Sequence, residues 1–440
     1  MSNSSNTSSG VNVSQPVEHR RSVVVFGDFP QGLSTLRSLS RAGYHCIAAT
    51  SSTRSITTVT RHTHEHWHLP AMDHPDWPDA LHARLRHRRD VVALYPIGVD
   101  TCLKVTPLAE RWELPCVSAQ AQHLAACNDK ILANKLACEA GINVPTTRLV
   151  RNFGELVAAC EEIGYPTIVK TISSEAPVCG HKALLLDDAD SFKHFFPAWP
   201  HEHQALMVQA YIEGPVVACD FLADRGRVLC SYHSSGLDTD CPDGTGMVVL
   251  FRSEPANSAL ETALADFVRA THYTGPGLLQ CVRCERSNQL YFIEVNPRLS
   301  AGIEESVQSG LDMPLLNLQI ALDQADNVSP AYQPGRVSYW MERDLQGWLR
   351  QRGQMNLRQH VRKLGQVIGR LSKCHGHINW QISDPLPACL AMLRMLRSGF
   401  HASRSDTTQK TAPDTTQQAV TRVAGSAPPT HYPLKDVHPN

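Results

Sequence analysis

The stretch Tyr291-Phe292-Ile293-Glu294-Val295-Asn296-Pro297-Arg298 decides the reading of this chain. Aromatic and β-branched residues alternate with polar ones, the pattern of a half-buried strand. Side chains two apart in a strand share a face, so Glu294 and Asn296 point the same way. Pro297 has no N–H to donate and ends the ladder, leaving Arg298 on the loop. A carboxylate beside a carboxamide offers hard oxygen donors, which suit Mg²⁺. An arginine next to them suits phosphate oxygens.

Upstream, Gly277-Leu278-Leu279-Gln280-Cys281-Val282 reads as the partner strand, with a polar turn over 283–289. That spacing sets Gln280 opposite Glu294 in an antiparallel pair. Asn128-Asp129-Lys130 opens a helix carrying Leu132, Leu136 and Ala137, and Gly141 closes it. A second helix runs from Asn152 to Ile163. Thr167-Ile168-Val169-Lys170 is a strand ending in lysine, and a lysine at a core edge is costly unless it faces a negative charge. Val217 to Asp224 and Arg227 to Tyr232 read as consecutive strands around the turn Asp224-Arg225-Gly226. Residues 233–247 read as a long loop.

Gln280, then Glu294 fourteen positions on, then Asn296, Pro297 and Arg298, resemble the metal-binding signature of ATP-grasp ligases, most closely the carbamoyl-phosphate synthetase branch. The resemblance covers 126–325 well and 21–125 by order of elements. It implies an α/β fold, α+β in the ATP-binding part: an N-terminal Rossmann-like pre-ATP-grasp domain (21–125), a two-subdomain ATP-grasp fold (126–325, lid about 145–205) and a small C-terminal appendage (326–402). It also implies ATP and two Mg²⁺ ions as cofactors, with Mn²⁺ as an alternative. Glu294 would bridge the ions, with Gln280 on one and Asn296 on the other. Lys130 and Lys170 would hold phosphates, joined by Lys182 on the strand that returns from a lid over 173–180. That lid keeps only Gly180 where family lids are glycine-rich. Gln209, Tyr211 and Ile212 would form the adenine hinge. Val216 stands where the family has a ribose-binding glutamate, and Glu213 is the substitute. Arg298 and Glu294 would be the catalytic pair.

The activity implied is ligation of a carboxylate to an amine through an acyl phosphate, releasing ADP and phosphate. Two other readings compete. A carboxylating or carbamoyl-phosphate-type enzyme would need separate partners, because the chain has no biotinyl Met-Lys-Met and no glutaminase module. An ATP-binding regulatory protein with reduced turnover is favoured by the thin lid and the missing ribose glutamate.

Nearer the N-terminus, Ser22 to Gly27, a helix over Leu33 to Leu39, and Tyr44 to Ala49 make a strand–helix–strand opening of dinucleotide-fold type. Its glycines do not fit G-x-G-x-x-G, so no NAD is inferred. Asp90 to Pro96 is a further strand, and Asp100 beyond it is either a helix N-cap or a substrate-site residue. His62, His64, His66 and His68 alternate along Arg61 to His68, but no distant pair completes a zinc site, so they read as a solvated edge. The basic run Arg350, Arg352, Arg358, Arg362, Lys363 and Arg370 reads as a solvated helix face.

With 41 Lys+Arg against 42 Asp+Glu, no global charge draws the chain to nucleic acid or an anionic membrane. The 14 cysteines are scattered and read as reduced thiols. No secretory signal and no long apolar run is present, which makes a cytoplasmic location the expectation. The Ser/Thr/Pro-rich ends, 1–20 and 403–440, read as disordered tails. Expected partners are the small-molecule carboxylate and amine, and a second copy in a homodimer, with neither nucleic acid nor membrane.

Overall fold

The computed structural model describes residues 21–172, 178–179, 183–192, 199, 203–241, 246–324 and 331–405, without the side chains of residue 354 and 396–405. It is an α/β protein built on three sheets. The first begins with β1 (Ser22–Phe26), α1 (Pro30–Arg41), β2 (His45–Thr50), β3 (Glu65–His68), α2 (Trp77–Leu85), β4 (Val91–Pro96) and α3 (Val99–Arg111). Its four strands are all parallel in the order β3-β2-β1-β4, the Rossmann-like arrangement. The apolar runs of β1 and β2 are buried on both faces, as parallel strands covered by helices must be. His66 and His68 lie on this sheet's edge strand, β3, where Trp67 packs inward and His68 faces out, and His62 and His64 lie on the segment just before it.

Two helices, α4 (Ala121–Asn128) and α5 (Lys130–Glu139), lead into the second sheet. That sheet holds β5 (Thr147–Val150), β6 (Thr167–Thr171), β7 (Ala183–Leu186) and β8 (Leu206–Ala210), in the order β5-β8-β6-β7, with α6 (Phe153–Ile163) packed against it. The proposed lid falls almost wholly outside the described residues, as does Lys182.

The third sheet contains β9 (Val216–Asp224), β10 (Arg227–Thr239), β11 (Val248–Ser253), β12 (Gly275–Arg283) and β13 (Leu290–Asn296). Helix α7 (Ser258–Ala270) packs on it. Here one expectation fails: residues 233–239 are not loop but the second half of β10. Ser234 and Ser235 pair with β9 on one side and β11 on the other. Polar composition misled because a two-sided ladder satisfies the backbone whatever the side chains are.

Helices α8 (Glu304–Gln308) and α9 (Met313–Ala321) follow, then β14 (Val337–Tyr339), α10 (Met341–Gln351), α11 (Leu357–Lys373), β15 (Gly376–His377) and α12 (Leu386–Ser405). The C-terminal segment is therefore no loose appendage: β14 and β15 extend the third sheet to seven strands. Helix α12 continues to Ser405, beyond the boundary set for the disordered tail. The basic run also departs from a wholly solvated face. Lys363 Nζ lies 2.5 Å from Asp344, Arg370 pairs with Asp344 and Asp238, and Arg350 lies 3.0 Å from the buried Asp240. Buried acids draw these cations inward, because an unpaired carboxylate there is costly.

The C-terminal segment is tied to the first sheet by one buried ion pair. Arg37, on α1, is 0% exposed, and its Nε lies 2.9 Å from Asp384 Oδ2, whose side chain is 2% exposed. Arg37 Nη2 donates to the carbonyls of Asn379 and Asp384, while Thr60 Oγ1 and Arg61 N donate to the Asp384 carboxylate. Burial works to raise the Asp384 carboxyl, and these donors outweigh it and hold it below its ordinary value. Removing one partner strands the other charge, at a cost of roughly 3–5 kcal/mol. Arg37→Met is expected to lose that much in denaturant unfolding, and Arg37→Met/Asp384→Leu distinctly less. Equal losses in the two proteins would show that the charge pair is not what joins these parts.

Candidate active site

Strands β12 and β13 pair antiparallel, with Gln280 opposite Glu294 and Leu278 opposite Asn296. Directly opposed residues project from the same face, so Gln280, Glu294 and Asn296 share one. The register shifts just past this pair, where Cys281 meets Phe292 and Ile293 is left over as a bulge. A bulge re-aims the side chains beside it without unpairing the strand. Asn296 Nδ2 lies 2.8 Å from Glu294 Oε1 and 3.4 Å from Gln280 Oε1. Both oxygens thus converge on one point. Turning over the Asn296 carboxamide would bring its own oxygen there, completing a hard-oxygen set of the kind a magnesium or manganese ion takes. The donor chemistry fits the ion that the sequence implies.

Lysine 130 starts α5, whose N-cap Asp129 accepts from the N–H groups of Ile131 and Leu132. It is 9% exposed, and its Nζ donates to Thr171 O at 3.1 Å. Asn128, Lys130, Glu294 and Asn296 line one cleft of about 330 Å³. Lys170, at the end of β6, donates to Gln209 Oε1 at 3.0 Å, and Gln209 Nε2 donates to Thr147. Two of the expected phosphate lysines are thereby brought to neighbouring ends of the second sheet, because Thr171 follows Lys170. Tyr211 N donates to Pro166 O, which carries the chain out of β8. The Glu213 carboxylate lies 4.0 Å from Arg286.

Arg298 and Leu299 line a second cleft, while Pro297 lines the first. Arg298 Nη1 donates to Leu299 O. The second cleft is closed by the first sheet, through α1, the end of β4 and Gly98. Gly98 is the N-cap of α3 with φ +85, a conformation open to glycine and strained for other residues. The N-cap role is therefore not Asp100's; Asp100 lies in the helix's first turn.

Sequence reasoning missed Asp220, on β9. It is 4% exposed and accepts from Ser300 N at 3.0 Å, on the segment just after Arg298. A carboxylate in the middle of the apolar run from Val216 to Ala223 was the available signal, since strands rarely bury one without use. It also missed Gln31 and Asn317, which line the Arg298 cleft.

Comparison with known proteins agrees with this geometry. The family model described as RimK-like ATP-grasp domain matches residues 127–234, and that of ATP-grasp in the biosynthetic pathway with Ter operon matches 202–343. The chain carries an ATP-grasp domain. Among curated proteins, it is similar to the carbamoyl phosphate synthase large chain of Lachnoclostridium phytofermentans, 21% identical over 210 residues, covering 47% of this chain and 20% of that protein. The chain thus spans about a fifth of that relative's length. Among solved structures, an ADP complex of N5-carboxyaminoimidazole ribonucleotide synthetase superposes with TM-score 0.59 at 13% identity, covering 76% of this chain and 85% of that one. L-amino acid ligase from Bacillus licheniformis superposes with TM-score 0.56 at 15% identity, covering 72% and 78%. These likenesses are of fold: a Rossmann-like sheet followed by ATP-grasp sheets. No described helix is long and apolar enough to cross a membrane.

Burial pushes the Asp220 carboxyl up to about 6, and the Ser300 bonds and the Arg298 charge keep it from going higher. Its folded value lies above the ordinary unfolded one near 3.9. The folded state therefore keeps a proton that the unfolded chain has lost between roughly pH 4 and 6. The stability from the neutral acid is complete below that window and is lost as pH rises through 6, about 3 kcal/mol in all. Asp220→Asn does not titrate, so its stability relative to wild type is expected to rise from pH 4 to pH 7. A pH-independent difference in unfolding free energy would show that Asp220 is not desolvated as described.

Proposed function

We propose that this ATP-grasp protein is an ATP-dependent ligase that joins a carboxylate to an amine through an acyl phosphate. The observation that carries the reading is the convergence of Gln280, Glu294 and Asn296 beside Lys130, with Arg298, two residues after Asn296, lining a second cleft. One cleft has the donors for metal and phosphate, and the other has a cation for a carboxylate. One protein of similar fold is an L-amino acid ligase by name.

The chemistry asks for no protein nucleophile. A substrate carboxylate oxygen, held toward the nucleotide by Arg298, attacks the γ-phosphorus of ATP. The new P–O bond forms as the β–γ bridging bond breaks, giving an acyl phosphate and ADP. The amine then adds to the acyl carbon, phosphate leaves, and the ammonium proton is released. Lys130 and Lys170 hold phosphate oxygens, with Lys182 assigned the same role. Gln209, Tyr211 and Ile212 hold the adenine, and Glu213 the ribose. Gln280, Glu294 and Asn296 would hold magnesium, two ions in the full arrangement, which neutralises phosphate charge when bound. Arg298 meets the charge that develops on the transferring group, the largest contribution such a site can make. The whole activity, like the choice of a homodimer or a cytoplasmic location, belongs to this proposal.

Purified protein with Mg-ATP, pooled carboxylic acids and pooled amines is expected to release ADP and form a coupled mass. Glu294→Ala is expected to lower turnover by at least about 10²–10³, the typical cost of one preorganised charge. Chelation of the divalent ion should abolish turnover, and Mg²⁺ should restore it. Release of AMP and pyrophosphate, or full turnover in Glu294→Ala, would refute the assignment.

A further inference from the structure

The Arg298 cleft also carries information on the acid it takes, an argument that rests on the ligase reading. Its walls are apolar at Ile97, Val117 and Leu299. Tyr95 and Asn317 also line it, but the Tyr95 hydroxyl and the Asn317 amide nitrogen are already bonded to each other and to the chain. Asn317 Nδ2 donates to Tyr95 OH at 3.2 Å, and Tyr95 OH donates to Pro314 O. Gln31 differs. It lies in the first turn of α1, is 5% exposed, and its Oε1 has no hydrogen-bond partner among the described residues. A buried amide oxygen without a donor is costly, and a ligand that brings one recovers that cost.

The charge balance narrows the donor. Arg298 is the one charged residue among those lining the cleft, and none is acidic. An ammonium here would meet a like charge with no carboxylate to pair it. A hydroxyl or an amide N–H carries a donor without charge, and the hydroxyl oxygen or the amide carbonyl also accepts, so either group matches the two-ended Gln31 carboxamide. We infer that the acid activated here is a small carboxylate bearing a neutral hydrogen-bond donor, a hydroxy acid or an amido acid. Its carboxylate faces Arg298 and its donor faces Gln31.

The test uses the full chain loaded with Mg²⁺ and a non-hydrolysable ATP analogue. Calorimetry compares propionate, alanine, lactate and N-acetylalanine. Lactate, N-acetylalanine or both are expected to bind about tenfold more tightly than propionate and alanine. The tighter of the two tells hydroxyl from amide. Gln31→Leu should bring all four to similar affinity, while Gln31→Asn keeps part of the preference, and both variants should bind the nucleotide analogue like wild type. Alanine or propionate binding most tightly, no binding by any of the four, or an unchanged order in Gln31→Leu would overturn the inference. Because binding is read without turnover, the expected order in a protein that never forms ADP would overturn the ligase reading and leave the preference of the cleft for such an acid standing.

Discussion

Strand β13 delivers Glu294 and Asn296 to one point only in the register that sets Gln280 opposite Glu294. A slip of one residue would turn every side chain of the strand to the other face. The polar ends of Glu294 and Asn296 would then point into the core, away from Gln280, and the apolar residues of the strand out of it. What prevents the slip is burial on that other face. Leu279, Cys281, Phe292 and Val295 belong to the same core cluster as Phe221, Leu264 and Phe267. The site is thus held by residues that never touch a ligand, and the hydrophobic pattern that fixes the strand also fixes the metal donors. The bulge at Ile293 belongs to the same constraint. It lets Phe292 and Val295 both reach the core although three positions separate them, which strict alternation would forbid.

How much of this is legible in sequence depends on whether a feature is local. The β12–β13 hairpin is local, and its pairing is written in the spacing between Gln280 and Glu294. The N-cap of α6 at Asn152 and the ends of β6 are likewise local. The second half of β10 is not, because Ser234 and Ser235 are held by ladders on both sides and their own composition argues for loop. Nor are Arg37 and Asp384, more than three hundred residues apart in sequence and joined in space. The inward pairing of Lys363 and Arg370 fails for the same reason, since the acids that draw them lie on other elements. In the site, the paired oxygens are local, whereas Asp220 and Gln31 gain their meaning only from the segments folded against them.

The two clefts explain why an arginine rather than a lysine stands at residue 298. In the proposed assignment nucleotide and acid meet at Pro297 and Arg298, and a group serving both must present donors in more than one direction. A guanidinium has a rigid fork of five N–H groups; an ammonium is a point charge on a flexible stem. Arg298 already spends one nitrogen on the carbonyl of Leu299. That bond fixes the fork at the boundary, while the nearby Asp220 carboxylate anchors Ser300 through its N–H. The loop after β13 is therefore ordered by its own polar contacts before any ligand arrives, which lowers the entropy lost on binding.

Helix α1 links this boundary to the rest of the molecule. Gln31 in its first turn lines the acid cleft, and Arg37 nearer its other end is locked to Asp384. Six residues of helix span about 9 Å along the axis, and the two side chains leave it in different directions. The ion pair therefore fixes both the rotation and the height of α1, and with them the place of the Gln31 carboxamide. Asp384 is itself pinned by Thr60 and Arg61, so the C-terminal segment holds α1 and the 55–61 loop of the first sheet together. In this arrangement the C-terminal segment acts on the acid site without reaching it. Its distance from the site is no measure of its relevance, because a hydrogen bond in the cleft is lost by a displacement of about 1 Å.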